Sequence, residues 1–224
     1  MYFGGLRTPI RGPGRETCQM QDRANTPGEI ATPPGLDGPG PTPLQRVLGG
    51  RRSIRRFMDT PVEPAKLRAC LEAARIAPSA HNVQPWRFIV VDDPVLKAKL
   101  AQEAFAGIYR SSMFAARAPV ILVILARPGK AAVRLGSRIQ GVPFYLLDIG
   151  IAGEHVVLQA EELGLATCWM GWFNYRRARK VLAVPRDFKL VALMPLGYAE
   201  KRPTREPPRR PFEEIVAFNK APRA

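Results

Sequence analysis

Along residues 44–224 the apolar positions alternate between helical and strand spacing. Leu44, Val47 and Leu48 give the i, i+3, i+4 face of a short helix. Thr42-Pro43 supplies its N-cap and first helical position, and Gly49-Gly50 end it. Val62-Glu63-Pro64 opens a second helix, with the stripe Leu67, Cys70, Leu71 and Ala74 running to Ala77. Pro78 stops it, because a proline ring and a missing N–H cannot continue the ladder. Phe88–Val91 reads as a strand, closed by Asp92-Asp93-Pro94. Pro94 starts a helix carrying Leu96, Leu100 and Phe105, and Ala106–Arg117 is mixed and helical in part. Pro119–Ala126 is unbroken apolar sequence, which predicts a central strand covered on both faces. Arg127–Gly141 is basic, without a clean period, and predicts a loop covering a site.

Phe144–Leu163 predicts a long helix ended by Gly164 as a C′ glycine. Leu147, Ile151, Val156, Val157, Leu158 and Leu163 make it apolar on most faces. A helix of that kind is covered on two sides, which in a domain of this size points to a second subunit. Asp148, Glu154 and His155 interrupt it, and His155 reads as a helix histidine satisfied by its neighbours, not a ligand. Thr167–Met170 reads as a short strand, Tyr175–Leu182 as a basic helix with a solvated face, and Lys189–Leu196 as another strand. Pro211–Asn219 reads as a terminal amphipathic segment.

Composition changes the picture at the N-terminus. Residues 1–43 hold eight Gly and eight Pro, above the roughly 25–30% that marks low-complexity sequence. This predicts a disordered extension before a single domain over 44–224. The net charge is +15, and all of the excess lies in the domain. A basic domain attracts anions such as phosphates, nucleotides or nucleic acid. Charge alone supports a nucleic-acid reading, since no recognition motif accompanies it. Three cysteines without paired spacing argue against a disulfide framework and for a reducing cytoplasm. Cys70 reads as a core thiol. Two histidines make a His/Cys metal site improbable, so no metal is expected. No apolar run approaches the roughly 20 residues needed to span a bilayer, and Met1–Ile30 has no apolar signal region.

The chemistry concentrates in Pro78-Ser79-Ala80-His81-Asn82-Val83-Gln84-Pro85-Trp86-Arg87. Five hydrogen-bonding side chains there, Ser79, His81, Asn82, Gln84 and Arg87, suit a flat ring with polar edges. This stretch, preceded by Arg51-Arg52-Ser53-Ile54-Arg55-Arg56-Phe57, strongly resembles the nitroreductase family of flavoenzymes, and the resemblance runs over roughly 44–219. It implies a three-layer α+β sandwich with a mostly antiparallel central sheet flanked by helices, assembled as an intertwined homodimer. It implies FMN as cofactor. Arg51, Ser53 and Arg55 would bind the phosphate, ribityl or pyrimidine side, with Arg52 contributing through its backbone. Pro78, Ser79 and Ala80 would pack on the ring across the dimer interface. Asn82 and Gln84 would hydrogen-bond the flavin, with His81 beside them at a position the family varies. Gly164–Phe173 resembles the family stretch whose backbone reaches the N5/O4 edge, giving Met170, Gly171 and Trp172. Pro208–Glu214 resembles the C-terminal phosphate segment, with Arg209 as its arginine. Pro207 stands where the family commonly has lysine, a loss that Arg205 would offset.

The implied reaction is ping-pong transfer of two electrons from NAD(P)H through flavin N5 to a small organic acceptor such as a nitroaromatic or quinone. No side chain of the protein need act as acid or base, in keeping with the absence of a G-x-S-x-G motif. Two same-fold alternatives stand beside this reading: a specialised enzyme of reductive dehalogenation or flavin fragmentation, and a non-catalytic flavin-binding protein. Neither nucleic acid nor membrane is an expected partner.

Overall fold

The computed structural model describes residues 40–128, 141–219 and 221. The chain divides after Gly40, and every described helix and strand lies in the unit Pro41–Ala224. The expected disordered extension lies outside the described residues up to position 39. So does most of the loop expected to cover a site, at 129–140.

Four strands form one antiparallel sheet in the order β1-β2-β4-β3: β1 (Trp86–Val91), β2 (Val120–Ala126), β3 (Ala166–Thr167) and β4 (Lys189–Gly197). On β2, Val120, Leu122, Ile124 and Ala126 face one way, against Cys70 and Ala74 of helix α2 (Pro64–Arg75). The same face meets Ile149, Ala152 and Val156 of helix α4 (Phe144–Glu162). Ile121, Val123 and Leu125 face the other way, against Leu100 and Ala104 of helix α3 (Pro94–Ala104). Ala178 of helix α5 (Tyr175–Val181) shares that second face. The period-two pattern therefore produces a sheet with a helical layer on each side. All seven residues of β2 are buried, as expected for a central strand. Burial pushes the Cys70 thiol up to about 11, the behaviour of a neutral core group.

A bulge keeps β4 in step with both layers. Ile124 pairs with Ala192, whereas Leu125 pairs with Leu190, so Val191 is the extra residue. One extra residue reverses the alternation. Leu190 consequently joins the α3 and α5 side, while Val191 packs on the α2 and α4 side.

Several boundaries differ from those expected. Helix α1 (Pro43–Gly50) starts from the expected Thr42 cap, which forms a full capping box with Gln45, but it includes both glycines. Helix α2 ends at Arg75, before Ala77, and β1 begins two residues early at Trp86. β3 keeps only two residues; Met170 joins the sheet through an isolated bridge to Leu193. Residues Gly107–Arg117 are a 3₁₀ segment. The C-terminal segment is helical only over α6 (Phe212–Ile215), with Phe212, Ile215 and Phe218 exposed. Helix α4 ends as expected: Gly164 takes φ +76°, and Leu165 N–H reaches Ala160 C=O at 2.8 Å.

At the end of β4 the chain has no room for a side chain. A Cβ built on Gly197 lies 2.4 Å from Pro119 Cδ and 2.6 Å from Cγ, atoms of a rigid ring. We expect Gly197→Ala to destabilise the domain by about 1–3 kcal/mol, read as a lower urea midpoint at unchanged slope. An unmoved midpoint would mean that Pro119 can give way.

Candidate functional site

The segment Arg51–Phe57 is docked by its apolar residues. Ile54 and Phe57 are buried with Ala118 and Ala166 in a small cluster at the end of the sheet. Ile54 N–H donates to Thr167 C=O at 2.9 Å, and Ser53 bridges Thr167 in parallel register. Further on, Phe57 bridges Ala199, and Met58 N–H donates to Tyr198 C=O. With the apolar residues turned inward, Ser53 and Arg55 are left exposed and Arg51 partly so.

The arginines are not equivalent. Arg52 is tied down: its guanidinium donates to the Gly49 and Arg51 carbonyls and pairs with Glu206 at 3.2 Å, while its buried Nε has no acceptor among the described residues. Arg51 has only a 4.0 Å ion pair from Nε to Glu154, and no described acceptor engages its terminal nitrogens. Arg55 lies 6.0 Å from the Phe114 ring centre. Burial pushes the Cys168 thiol up, and the Arg55 charge offsets part of that shift. Arg209 is exposed, three residues beyond the Glu206 that holds Arg52. Arg205 is exposed as well.

The stretch after β3 runs past the same segment. Trp169 stacks its ring on Gly153 of α4, where a Cβ would lie 2.1 Å from the indole. Its Nε1–H donates to Glu154 at 3.2 Å, so Glu154 joins Arg51 to Trp169. Met170 sends its side chain into the core and exchanges both backbone hydrogen bonds with Leu193. It thereby fixes the exposed Gly171 and Trp172 that follow. A Cβ at Gly171 would meet nothing within 4 Å, so packing among the described residues does not demand glycine there.

The polar loop forms a separate group. Ser79 Oγ accepts from Gln84 N–H at 2.9 Å, and Asn82 N–H returns to Ser79 C=O at 3.0 Å. His81, Asn82 and Gln84 all take the left-handed conformation, with φ of 51°, 51° and 47°. His and Asn are among the non-glycine residues that adopt this region most readily, whereas Gln84 does so against its preference. The Gln84 amide donates to Asn82 Oδ1 at 2.8 Å. Asn82 Nδ2 and Gln84 Oε1 are left as one donor and one acceptor, and Pro78, His81, Asn82 and Gln84 are all exposed.

Sequence reading missed the residue that holds this loop. Asp148, buried on α4 at 5% exposure, accepts from Ala80 N–H at 2.9 Å. Its only sequence signal was a carboxylate inside an apolar helix. His155, by contrast, is satisfied as expected, at 3.0 Å from Ala73 C=O.

Helix α4 is therefore the common support, but it holds the two groups on different faces. Asp148 and Glu154 are six residues apart, which on a helix is about 120° around the axis and roughly 9 Å along it. Leu147 and Ile151 fall in the arc between them and are 55% and 40% exposed. Within one chain, Asp148 directs the loop to one side, while Glu154 holds Arg51 and Trp169 on another. Among the described residues no cluster of His, Cys, Asp or Glu could hold a metal, and no helix is long and apolar enough to cross a membrane.

Comparison with known proteins agrees with this architecture. The sequence model of the nitroreductase family matches residues 48–198. An NADH dehydrogenase of Thermus thermophilus is 33% identical over 196 residues, covering 75% of this chain and 92% of the relative. The solved structure of an FMN-dependent nitroreductase from Clostridium difficile superposes with a TM-score of 0.64 at 30% identity, over 78% of this chain and 98% of that one. An iodotyrosine deiodinase of Thermotoga neapolitana is 24% identical over 186 residues, 74% of this chain and 91% of its own length.

If Asp148 imposes the loop conformation, Asp148→Ala will leave Ala80 N–H unpaired and destabilise the fold by about 1–3 kcal/mol. Asp148→Asn keeps an acceptor and should recover most of that. Amide exchange at Ala80 is the direct check: fast in the alanine variant, slow in the parent and the asparagine variant. Equal rates in all three would show that the loop holds itself.

Proposed function

We propose that this chain, which belongs to the nitroreductase family, is an FMN-dependent oxidoreductase that takes two electrons from NAD(P)H and passes them to a small organic acceptor, a nitroaromatic or a quinone. The observation that carries the reading is the docking of Arg51–Phe57. Burial of Ile54 and Phe57 leaves Arg51, Ser53 and Arg55 outward, with Ser53 bridged to Thr167 and Arg51 joined through Glu154 to Trp169, on the stretch that leads to Gly171. That donor set fits a flavin mononucleotide. Unengaged guanidinium groups and a hydroxyl suit a phosphate and a polyol, because they offer several directed donors. The remaining donor of Asn82 and acceptor of Gln84 suit a ring edge that presents both kinds of group. When bound, FMN supplies the two-electron chemistry, alternately accepting from NAD(P)H and giving to the acceptor.

The residues then divide the work. Arg51, Ser53, Arg55 and Arg209 hold the phosphate and polyol side, and Arg52 fixes the backbone between them. The backbone at Gly171, set by Met170 and Trp172, would face the reactive edge of the ring, where its donors would stabilise charge that develops there. Pro78, Ser79 and Ala80 pack on the ring, with His81 beside the Asn82 and Gln84 amides. Because α4 supports these groups on different faces, we assign them to one site shared by two subunits. The exposed Leu147 and Ile151, and the exposed segment from Phe212 to Phe218, are surfaces that a second copy covers. The free Cys70 and Cys168 thiols accord with work in a reducing cytoplasm. The deiodinase relative supports reductive dehalogenation as the second reading, and iodotyrosine is the acceptor that tests it.

The phosphate assignment predicts that Arg51→Ala weakens FMN binding about ten- to a hundredfold, the loss of one charge-assisted contact of roughly 1.5–3 kcal/mol. Arg176→Ala on the exposed face of α5 should bind as the parent does. Gly171→Ala should also weaken FMN while leaving the melting temperature of the cofactor-free protein unchanged, since its Cβ clears the described atoms. These constants are measured by titration at one salt concentration. A parent-like constant for Arg51→Ala would overturn the phosphate assignment, and equal weakening in Arg176→Ala would point to general electrostatics.

A further inference from the structure

Beside Gly171 lies an aromatic surface: the cofactor reading uses the backbone there and leaves the Trp172 ring without a role. Trp172 is 56% exposed, although its position is fixed at both ends. Its Nε1–H donates to Ile108 C=O at 3.0 Å, and its own carbonyl accepts from the buried Ser112 hydroxyl. Tyr109 meets the indole with ring centres 5.1 Å apart and planes tilted by 53°. An exposed tryptophan normally keeps its rotamer freedom; here Ile108 and Tyr109 of one 3₁₀ segment hold the ring, and Ser112 of the same segment holds the backbone. With the N–H consumed, what the ring offers outward is a π face. Trp172 directly follows Gly171, so the surface borders the proposed reaction edge.

The geometry points to Trp172, backed by Tyr109, as a rigid shelf for the electron acceptor, selecting planar electron-poor rings by stacking. This rests on the flavin oxidoreductase reading above. The pinned indole presents an electron-rich face, and offset stacking on a quinone or nitroaromatic ring gains attraction beyond simple burial. The ordering was fixed during folding, so binding loses little side-chain entropy. A compact acceptor without a ring gains nothing from the shelf. The backbone of Trp172 remains available to the cofactor edge, while its ring serves the acceptor.

The test compares two acceptors in FMN-saturated enzyme with NADH as donor. Menadione takes two electrons and two protons to become its hydroquinone; ferricyanide takes one electron per ion and has no ring to stack. In Trp172→Ala the ratio of the menadione KM to the ferricyanide KM should rise about three- to tenfold. Trp172→Phe keeps a ring and should hold the ratio within about twofold of the parent. A ratio that stays put in Trp172→Ala, with both constants moving together, would overturn the shelf and assign Trp172 to the cofactor or the fold. Loss of the dimer in Trp172→Ala by sedimentation would overturn it also, making the ring an interface residue. If the parent reduces neither acceptor, it is the oxidoreductase reading that fails, and the two failures are thus distinct.

Discussion

The structure depends on a constraint at α4. One face of that helix must close the hydrophobic layer over β2, through Ile149, Ala152, Val156 and Val157. Every polar group it carries must then act from the flanks of that face. Asp148 fixes the backbone of the 79–84 loop from one flank. Glu154, with Gly153 beneath the Trp169 ring, sets Arg51 and the approach to Gly171 from another. Lower down, Glu161 receives Arg202 at 2.6 Å and anchors the chain that leads toward Arg209. A single helix, buried along one face, thus sets the positions of three separated stretches of sequence. The apolar arc between its polar flanks is what one copy of the chain leaves uncovered.

Much of this was legible in the sequence. Thr42-Pro43 announced a cap because hydroxyl and ring each have one favourable place at a helix start. β2 was legible because an apolar run of that length admits few environments other than a sheet centre. The two segments that carry the family resemblance were legible as such, and Ile54 and Phe57 show why the spacing matters: they are the buried teeth that turn Arg51, Ser53 and Arg55 outward.

What was not legible came from contacts between distant residues. Asp148 stood in the sequence as an interruption, since nothing local connects it to an amide 68 positions away. The Val191 bulge has no glycine to mark it and follows from the demands of two helical layers. β3 was overestimated because Trp169 and Met170 are apolar for different reasons, one packed on Gly153 and the other in the core. The left-handed run at His81, Asn82 and Gln84 contains no glycine either. Asn82 and His81 tolerate that conformation, while at Gln84 it accompanies the hydrogen bond that its N–H donates to Ser79 Oγ.

The central claim is that α4 separates two half-sites which only a second copy can bring together. The most direct measurement is FMN content after co-expressing two differently tagged defective chains, one carrying Arg51→Ala and the other Asn82→Ala with Gln84→Ala. In the mixed dimer a shared site leaves one of its two sites with both halves unaltered. The account predicts that this dimer regains FMN to about half the parent's content, while either defective chain alone stays pale. If each site lay within a single chain, every site in the mixed dimer would carry a defect. A mixed dimer as pale as its parents would therefore contradict the account.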